Sequence, residues 1–164
     1  MELMLTLVIA ATLMGVAVPA FRGLVNSNRV LTQSNDIVAA LNLARSEAIT
    51  RNATITFCGA ATATSTTCAT TTPWVAWVVL NGSTLVRGGE VNSYNNTVKV
   101  TSGLTNASMT YSSDGLARTN GSTLLTTENI QVCTTFTKID KNIYTVTPGS
   151  GSRIVTTTSK GTCP

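Results

Sequence analysis

Residues 3–21, LMLTLVIAATLMGVAVPAF, form an uncharged apolar stretch that decides how this chain is organised. A helix needs about 18–20 apolar residues to cross a bilayer, so this stretch is long enough to be a membrane span. A secretory signal peptide would begin with Lys or Arg, whereas Glu2 precedes this stretch. An ordinary core helix would show a polar face, which this stretch lacks. We therefore predict a membrane helix with one carboxylate near its start.

The helical pattern continues beyond Pro19, a residue that removes a backbone hydrogen bond and is expected to bend the helix. Apolar residues then recur at steps of three and four, and charged and amide residues lie between them. The apolar residues are Val30, Ile37, Val38, Leu41, Ala44 and Ala48. This spacing is typical of an amphipathic helix. We predict one helix over residues 2–51, with residues 1–22 in lipid and residues 23–52 packed on a globular domain.

Residues 53–164 contain short β-type runs separated by turn signals such as Asn81-Gly82 and Asp114-Gly115. The predicted strands are Thr54–Phe57, Trp74–Leu80, Thr84–Arg87, Thr97–Val100, Ser108–Ser112, Ile130–Thr137, Asn142–Thr147 and Ser152–Thr156. The Thr-, Ser- and Ala-rich run at residues 60–72 is predicted to be an exposed loop. The predicted fold class is therefore α+β, with a long N-terminal α-helix packed on an antiparallel β-sheet domain.

The composition excludes several classes of function. Charged residues make up 11% of the chain, against about 25% in typical soluble domains, and hydrophobic residues make up 43%. The chain has no His, which excludes His-dependent catalytic triads and His-ligated zinc or haem sites. Its acidic residues lie in no recognisable catalytic motif, and we assign Trp74 and Trp77 to the core. We predict no enzymatic activity, no cofactor and no metal.

The four cysteines are Cys58, Cys68, Cys133 and Cys163, and none forms a C-x-x-C pair. An even number at wide spacing, after a membrane-type start, favours two disulfides in an oxidising compartment, with four free thiols as the alternative. Three pairings are possible. We favour Cys58–Cys68, which would close the loop between them, and Cys133–Cys163, which would hold the C-terminal tail on a strand.

Two segments of the chain carry a family resemblance. Residues 1–10, MELMLTLVIA, resemble the start of mature type IV pilins and pseudopilins, near F-T-L-I-E-L, whose glutamate and helix-bending proline fall on Glu2 and Pro19. Residues 42–52, NLARSEAITRN, resemble the helix end of the GspH/FimT branch. Later features follow the order of that branch's domain: Phe57-Cys58, Trp74-x-x-Trp77, Ser113-Asp114-Gly115, Ile130-x-x-Cys133 and Cys163. The chain is therefore similar to the GspH/FimT family over nearly its whole length.

The resemblance implies a single-pass subunit of the bacterial inner membrane, with its globular domain in the periplasm, that assembles with other pilins through its N-terminal helix. Glu2 would then neutralise the N-terminal amine of a neighbouring subunit and set the axial stagger. The alternative for Glu2 is a solvated acid at the positive end of the helix dipole. In the family a basic leader is cut before a Phe that becomes N-methylated, so we expect the native chain to extend upstream.

The resemblance leaves three functions open: a minor pilin of a type IV pilus that captures DNA for uptake, a type II secretion pseudopilin, and a principal filament subunit. DNA-binding relatives carry Gly-Arg-x-Arg near the C-terminus, and the stretch at residues 149–155, GSGSRIV, keeps one arginine, Arg153. Lys138, Lys141 and Lys160 are the other candidate cations, and ordinary surface charge is the alternative for all four. Such residues would bind the backbone of double-stranded DNA without base preference.

Overall fold

The computed structural model describes residues 2–92, 94, 96–136, 139–149 and 153–164. The chain begins with one long helix, α1, at Glu2–Arg51, and a 3-10 turn lies at Thr105–Ala107. The strands are β1 Ile55–Ala60, β2 Ala76–Asn81, β3 Thr84–Glu90, β4 Val98–Ser102, β5 Ser108–Tyr111, β6 Ala117–Thr119, β7 Ile130–Thr134, β8 Ile143–Pro148 and β9 Ile154–Ser159.

The strands form two antiparallel sheets against which α1 packs. One sheet has the order β3-β2-β1-β5-β6 and the other β4-β7-β8-β9. The helix contacts β1, β2 and β5 of the first sheet and β7 and β8 of the second. The helix therefore holds the two sheets together, and the main core lies between it and them.

The helix ends where its sequence predicts. Asn52 follows Arg51 with a φ of 48°, a left-handed conformation that Asn tolerates better than most residues. The Ala53 N–H then donates to the Ala48 carbonyl at 3.1 Å, which satisfies one of the free carbonyls of the last turn. This cap directs the chain into β1.

Buried side chains on α1 recur every three or four residues from Val30 to Ala48, which is the spacing predicted for the amphipathic part of the helix. They belong to the same core as three aromatic side chains, those of Phe57, Trp74 and Trp77. The Phe57 ring centroid lies 5.7 Å from that of Trp74 and 6.1 Å from that of Trp77. Both indoles are buried, as predicted, so they belong to the core.

The loop after β1 is mostly exposed, as predicted, but part of it packs on the outer face of the first sheet. Ala63 and Cys68 contact a second buried cluster that includes Val78 and Leu80. A Cβ atom on Gly88 would lie 1.8 Å from the Ala63 carbonyl oxygen, so only glycine fits where the loop crosses β3. The loop is thus a cover for that face as well as a surface segment.

The α+β prediction is confirmed, and all eight predicted strands overlap strands of the structure. The short strand β6 was not predicted. The lipid segment predicted at residues 1–22 is not confirmed, because no helix in the described part of the chain is long and apolar enough to cross a membrane.

Candidate functional site

The first part of α1 extends away from the two sheets. Every described side chain between residues 3 and 22 is exposed, including Leu3 at 80% of its area and Leu13 at 64%. The large apolar side chains that the structure describes as exposed in this part are Leu3, Met4, Leu5, Leu7, Val8, Ile9, Leu13, Met14, Val18 and Phe21. At 1.5 Å per residue the segment spans about 30 Å. We call residues 3–22 the projecting half of the helix.

Gly23 lies close to the globular domain. A Cβ atom placed there would lie 3.7 Å from the Ile139 side chain and 3.9 Å from the Phe136 ring. Full burial begins at Val30. We call residues 23–51 the docked half, so one continuous helix has two surroundings that change within about two turns.

Polar contacts also hold the docked half in place. The Gln33 side-chain oxygen accepts a hydrogen bond from the Asn92 N–H at 3.0 Å, and the Arg29 guanidinium lies 4.5 Å from the Tyr94 ring centroid. Near the end of the helix, burial raises the pKa of Tyr111 to about 12, while the positive charge of Arg45 acts in the opposite direction. The docked half is therefore anchored to both loops and strands, whereas the projecting half is not packed on the described domain.

Of the two predicted assembly residues, Pro19 lies in the projecting half and Glu2 directly precedes it. The backbone of Glu2 begins α1 and that of Pro19 continues it, but the side chains of both lie outside what the structure describes. The pairing of Glu2 with a neighbouring amine and the bend at Pro19 therefore stay predictions.

The structure pairs Cys58 with Cys68 and Cys133 with Cys163, the same pairs that were favoured from the sequence. Their Cα atoms are 5.6 Å and 5.5 Å apart. The first disulfide holds the covering loop to β1, and the second holds the C-terminal tail to β7.

The candidate DNA-binding residues that the structure describes, Lys141, Arg153 and Lys160, do not form one cluster. Arg153 and Lys160 are both exposed and flank β9, so about 23 Å of extended strand separates them. The Lys160 ammonium lies 3.2 Å from the Asp140 carboxylate, which offsets its charge. Lys141 is exposed beside Asp140, and Lys138 lies outside the described residues. The described cations therefore lie at two places, with Arg153 at one end of β9 and Lys160 near Lys141 at the other.

The other polar surface is an open cleft of about 750 Å³ beside β1, β5 and β6, lined mainly by hydroxyl groups. Its cation, Arg118, is ion-paired with Asp114 and donates a 3.0 Å hydrogen bond to the Ser112 hydroxyl. Hydrogen bonds from the Leu116 N–H and from Arg118 lower the pKa of Asp114, so that carboxylate is held ionised. Across the described residues, no group of three or more Cys, Asp or Glu side chains could hold a metal ion.

A family model described as Type II transport protein GspH matches residues 33–159, which is most of the chain. The chain belongs to the GspH family. The crystal structure of the type IV minor pilin FimU of Pseudomonas aeruginosa is similar to it, with a TM-score of 0.55 and 14% sequence identity. That match covers 77% of this chain and 91% of FimU, and at this identity it shows a shared fold. No curated protein sequence matches the chain significantly.

Membership of the GspH family establishes the general role of the chain. It is a minor pilin or pseudopilin of a type II secretion or type IV pilus system, a structural subunit without enzymatic activity. The family implies that the chain works in the bacterial cell envelope and assembles with other pilins. The resemblance to the GspH/FimT family is confirmed, and the matched range includes residues 42–52.

The outer edge of β9 was missed in the sequence. The signal available was the uncharged run at residues 154–159 between Arg153 and Lys160, which is a strong β-strand pattern. This strand could be recognised as the edge of a sheet only once the order of the strands was known.

Proposed function

We propose that this chain is a minor subunit of a type IV pilus, held in the inner membrane and then in the filament by the projecting half of α1. The globular domain at residues 53–164 would lie outside the lipid, on the periplasmic side. The observation that carries this proposal is the change in burial along one continuous helix, from exposed apolar side chains at residues 3–22 to a buried face from Val30 onward.

The free energy of exposed apolar surface explains why the projecting half needs a partner. Covering a Leu, Val, Ile, Met or Phe side chain is worth roughly 1.5–3 kcal/mol, and about ten such side chains are uncovered here. Equivalent helices of neighbouring pilins can cover them, and acyl chains can do so before assembly. Pairing of Glu2 with a neighbouring amine, in a medium of low dielectric constant, would then select one axial register.

A type II secretion pseudopilus is the second candidate. The description of the matching family model favours it, whereas the similarity to the minor pilin FimU favours the pilus. Both assemblies would use the projecting half in the same way, so they differ in the filament that contains the chain.

For DNA capture, the described cations would have to act from two separate places. Arg153 and Lys160 lie at opposite ends of β9, and Asp140 offsets the charge of Lys160. Affinity for a phosphate backbone grows with the number of cations that reach it together, and this arrangement brings few together. We therefore place the function in the projecting half of the helix.

The test is a pair of lysine substitutions in the full-length chain, produced in cells that make both filaments. Ile9→Lys places a charge in the projecting half, and Leu124→Lys places the same charge on a domain residue that is 71% exposed. We expect Ile9→Lys to remove the chain from purified filaments, because a buried charge would be left unpaired, and Leu124→Lys to leave it there.

The two filaments are then separated by deleting the pilus or the secretion system in turn. Recovery of the chain in pilus preparations alone is expected. Recovery only with the secretion system would assign it to a pseudopilus, and normal incorporation of Ile9→Lys would contradict assembly through the helix.

A further inference from the structure

Four strands lie at the edges of the two sheets: β3 and β6 in the first, and β4 and β9 in the second. An edge strand presents unpaired N–H and C=O groups that can bind another extended chain. Proteins therefore cover such edges, place charges on them, or interrupt them with bulges. The four edges of this chain differ in which of these protections they have.

Segments of the same chain cover two of the edges. On β4, the Val100 carbonyl accepts a hydrogen bond from the Trp74 N–H at 2.8 Å. On β6, the Ala117 carbonyl accepts one from the Thr126 N–H, and the Thr119 N–H donates to the Leu124 carbonyl, both at 3.1 Å. On each of these edges, hydrogen bonds within the chain already occupy backbone groups that a partner strand would need.

Charge and irregularity protect the third edge. Strand β3 carries Arg87 and Glu90, and its pairing with β2 shifts register between Val79 and Leu80. Charged side chains and a bulge both disfavour the addition of a further strand.

Strand β9 lacks these protections. Residues 154–159, IVTTTS, contain no charge and are rich in β-branched side chains, and all but Ile154 are exposed. Within the ranges that the structure describes, β9 pairs with β8 and with no other strand. It is an uncharged, solvent-exposed edge of high β-propensity.

The backbone groups that face outward from β9 can be assigned. The Gly149 N–H donates to the Arg153 carbonyl at 2.8 Å, so the backbone N–H and C=O groups of Arg153 point toward β8. Because backbone groups alternate along a strand, those of Ile154, Thr156 and Thr158 point away from β8. The register agrees, since Ile154 lies opposite Pro148, which has no N–H to donate.

The edge is also held in place at its end. Asn142 is buried, and its side chain accepts a hydrogen bond from the Gly161 N–H at 2.9 Å and donates one to the Gly161 carbonyl at 2.7 Å. The Cys133–Cys163 disulfide lies just beyond. A partner strand would meet an edge that is already ordered, which lowers the entropy lost on binding.

We propose that the outer edge of β9 binds an extended segment of another protein, uncharged in its middle and acidic at its ends. Arg153 and Lys160 flank the edge, and the Asp140 carboxylate offsets Lys160, so the Arg153 end contributes more. A second copy is disfavoured, because antiparallel pairing would oppose Arg153 to Lys160 at both ends and parallel pairing would oppose each cation to itself. This site is separate from the projecting half of α1, so it does not depend on filament assembly.

The experiment uses the full chain in detergent and two end-blocked, fluorescently labelled peptides of alternating Thr and Val. One peptide has Glu at both ends and the other has Lys. We expect the Glu peptide to bind at least ten times more tightly than the Lys peptide, with the preference falling as salt rises. Equal binding of the two, or binding of neither, would overturn the proposal.

Substitutions at Thr156 separate backbone pairing from other contacts. Thr156→Pro removes one outward N–H while leaving the hydrogen bonds to β8, and Thr156→Ala keeps that N–H. We expect the Pro variant to lose at least ten-fold in affinity and the Ala variant to bind within two-fold of the original chain. Equal binding by the Pro and Ala variants would contradict strand addition.

Charge reversal keeps the test valid if the Pro variant fails to fold. Arg153→Glu should reduce the preference for the Glu peptide at least five-fold without changing the melting temperature. A duplex DNA competitor is included. If DNA displaces the Glu peptide from wild-type chain and from Thr156→Pro alike, the cations form a phosphate site and the strand proposal is wrong.

Discussion

The two halves of α1 have the same backbone structure and opposite surroundings. The described side chains of the projecting half are all exposed and most of them are apolar, whereas the docked half alternates between a buried and a polar face. One continuous helix therefore has two different surroundings within the same chain. The docked half stabilises the domain, and the projecting half leaves its apolar surface exposed for partners.

The largest expected effect comes from the same substitution placed in each half. Leu41→Ala removes a side chain that is 0% exposed and should lower the free energy of unfolding by about 2–5 kcal/mol. Leu13→Ala, in the projecting half, should change it by less than about 0.5 kcal/mol. Denaturant unfolding of the full chain in detergent, followed by tryptophan fluorescence, measures both. A similar loss for Leu13→Ala would show that the projecting half packs on the domain.

A smaller effect on stability is expected from Tyr111 of β5, which lies near Arg45 of the docked half. Burial raises its pKa from 10.0 to about 12, so the unfolded chain loses this proton at lower pH than the folded chain. The stabilisation is therefore complete below pH 10 and is lost as the pH rises toward 12. Between pH 8 and pH 11 we expect the Tyr111 hydroxyl to account for about 1 kcal/mol of lost stability.

Tyr111→Phe is the matched variant, because it keeps the ring and removes the ionisable group. Between the two pH values, urea unfolding should show that Tyr111→Phe loses less free energy of unfolding than the original chain, by about 1 kcal/mol. The other groups that titrate in this range are present in both proteins. Identical losses would mean that the hydroxyl is not buried against α1 in solution.

Much of this organisation could be predicted because it depends on local patterns. Apolar spacing gave the length of α1, and runs of β-branched residues between turn signals gave most of the strands. Strand β6 was missed because it has only three residues, with the charged Arg118 in the middle, and lacks the alternation on which recognition depends. Its pairing with β5 follows from the turn at Gly115, where φ is +74°.

The features that could not be predicted depend on distant parts of the chain. The division into two sheets and the order of strands within them decide which edges stay open, and local pattern does not determine either. The packing of the loop across Gly88 also depends on that order.

The smallest expected effect tests whether function also resides in the basic residues. Since Arg153 stands about 23 Å from Lys160, we expect the full chain in detergent to bind duplex DNA weakly, with few phosphate contacts and a shallow salt dependence. Arg153→Ala should reduce the slope of log affinity against log salt by about 1, equally for unrelated sequences. Lys160→Ala should change it less, because Asp140 already offsets that charge. A steep slope in the original chain, abolished by Arg153→Ala, would show that the cations converge on DNA, and the division between the two halves of α1 would then describe only part of the function.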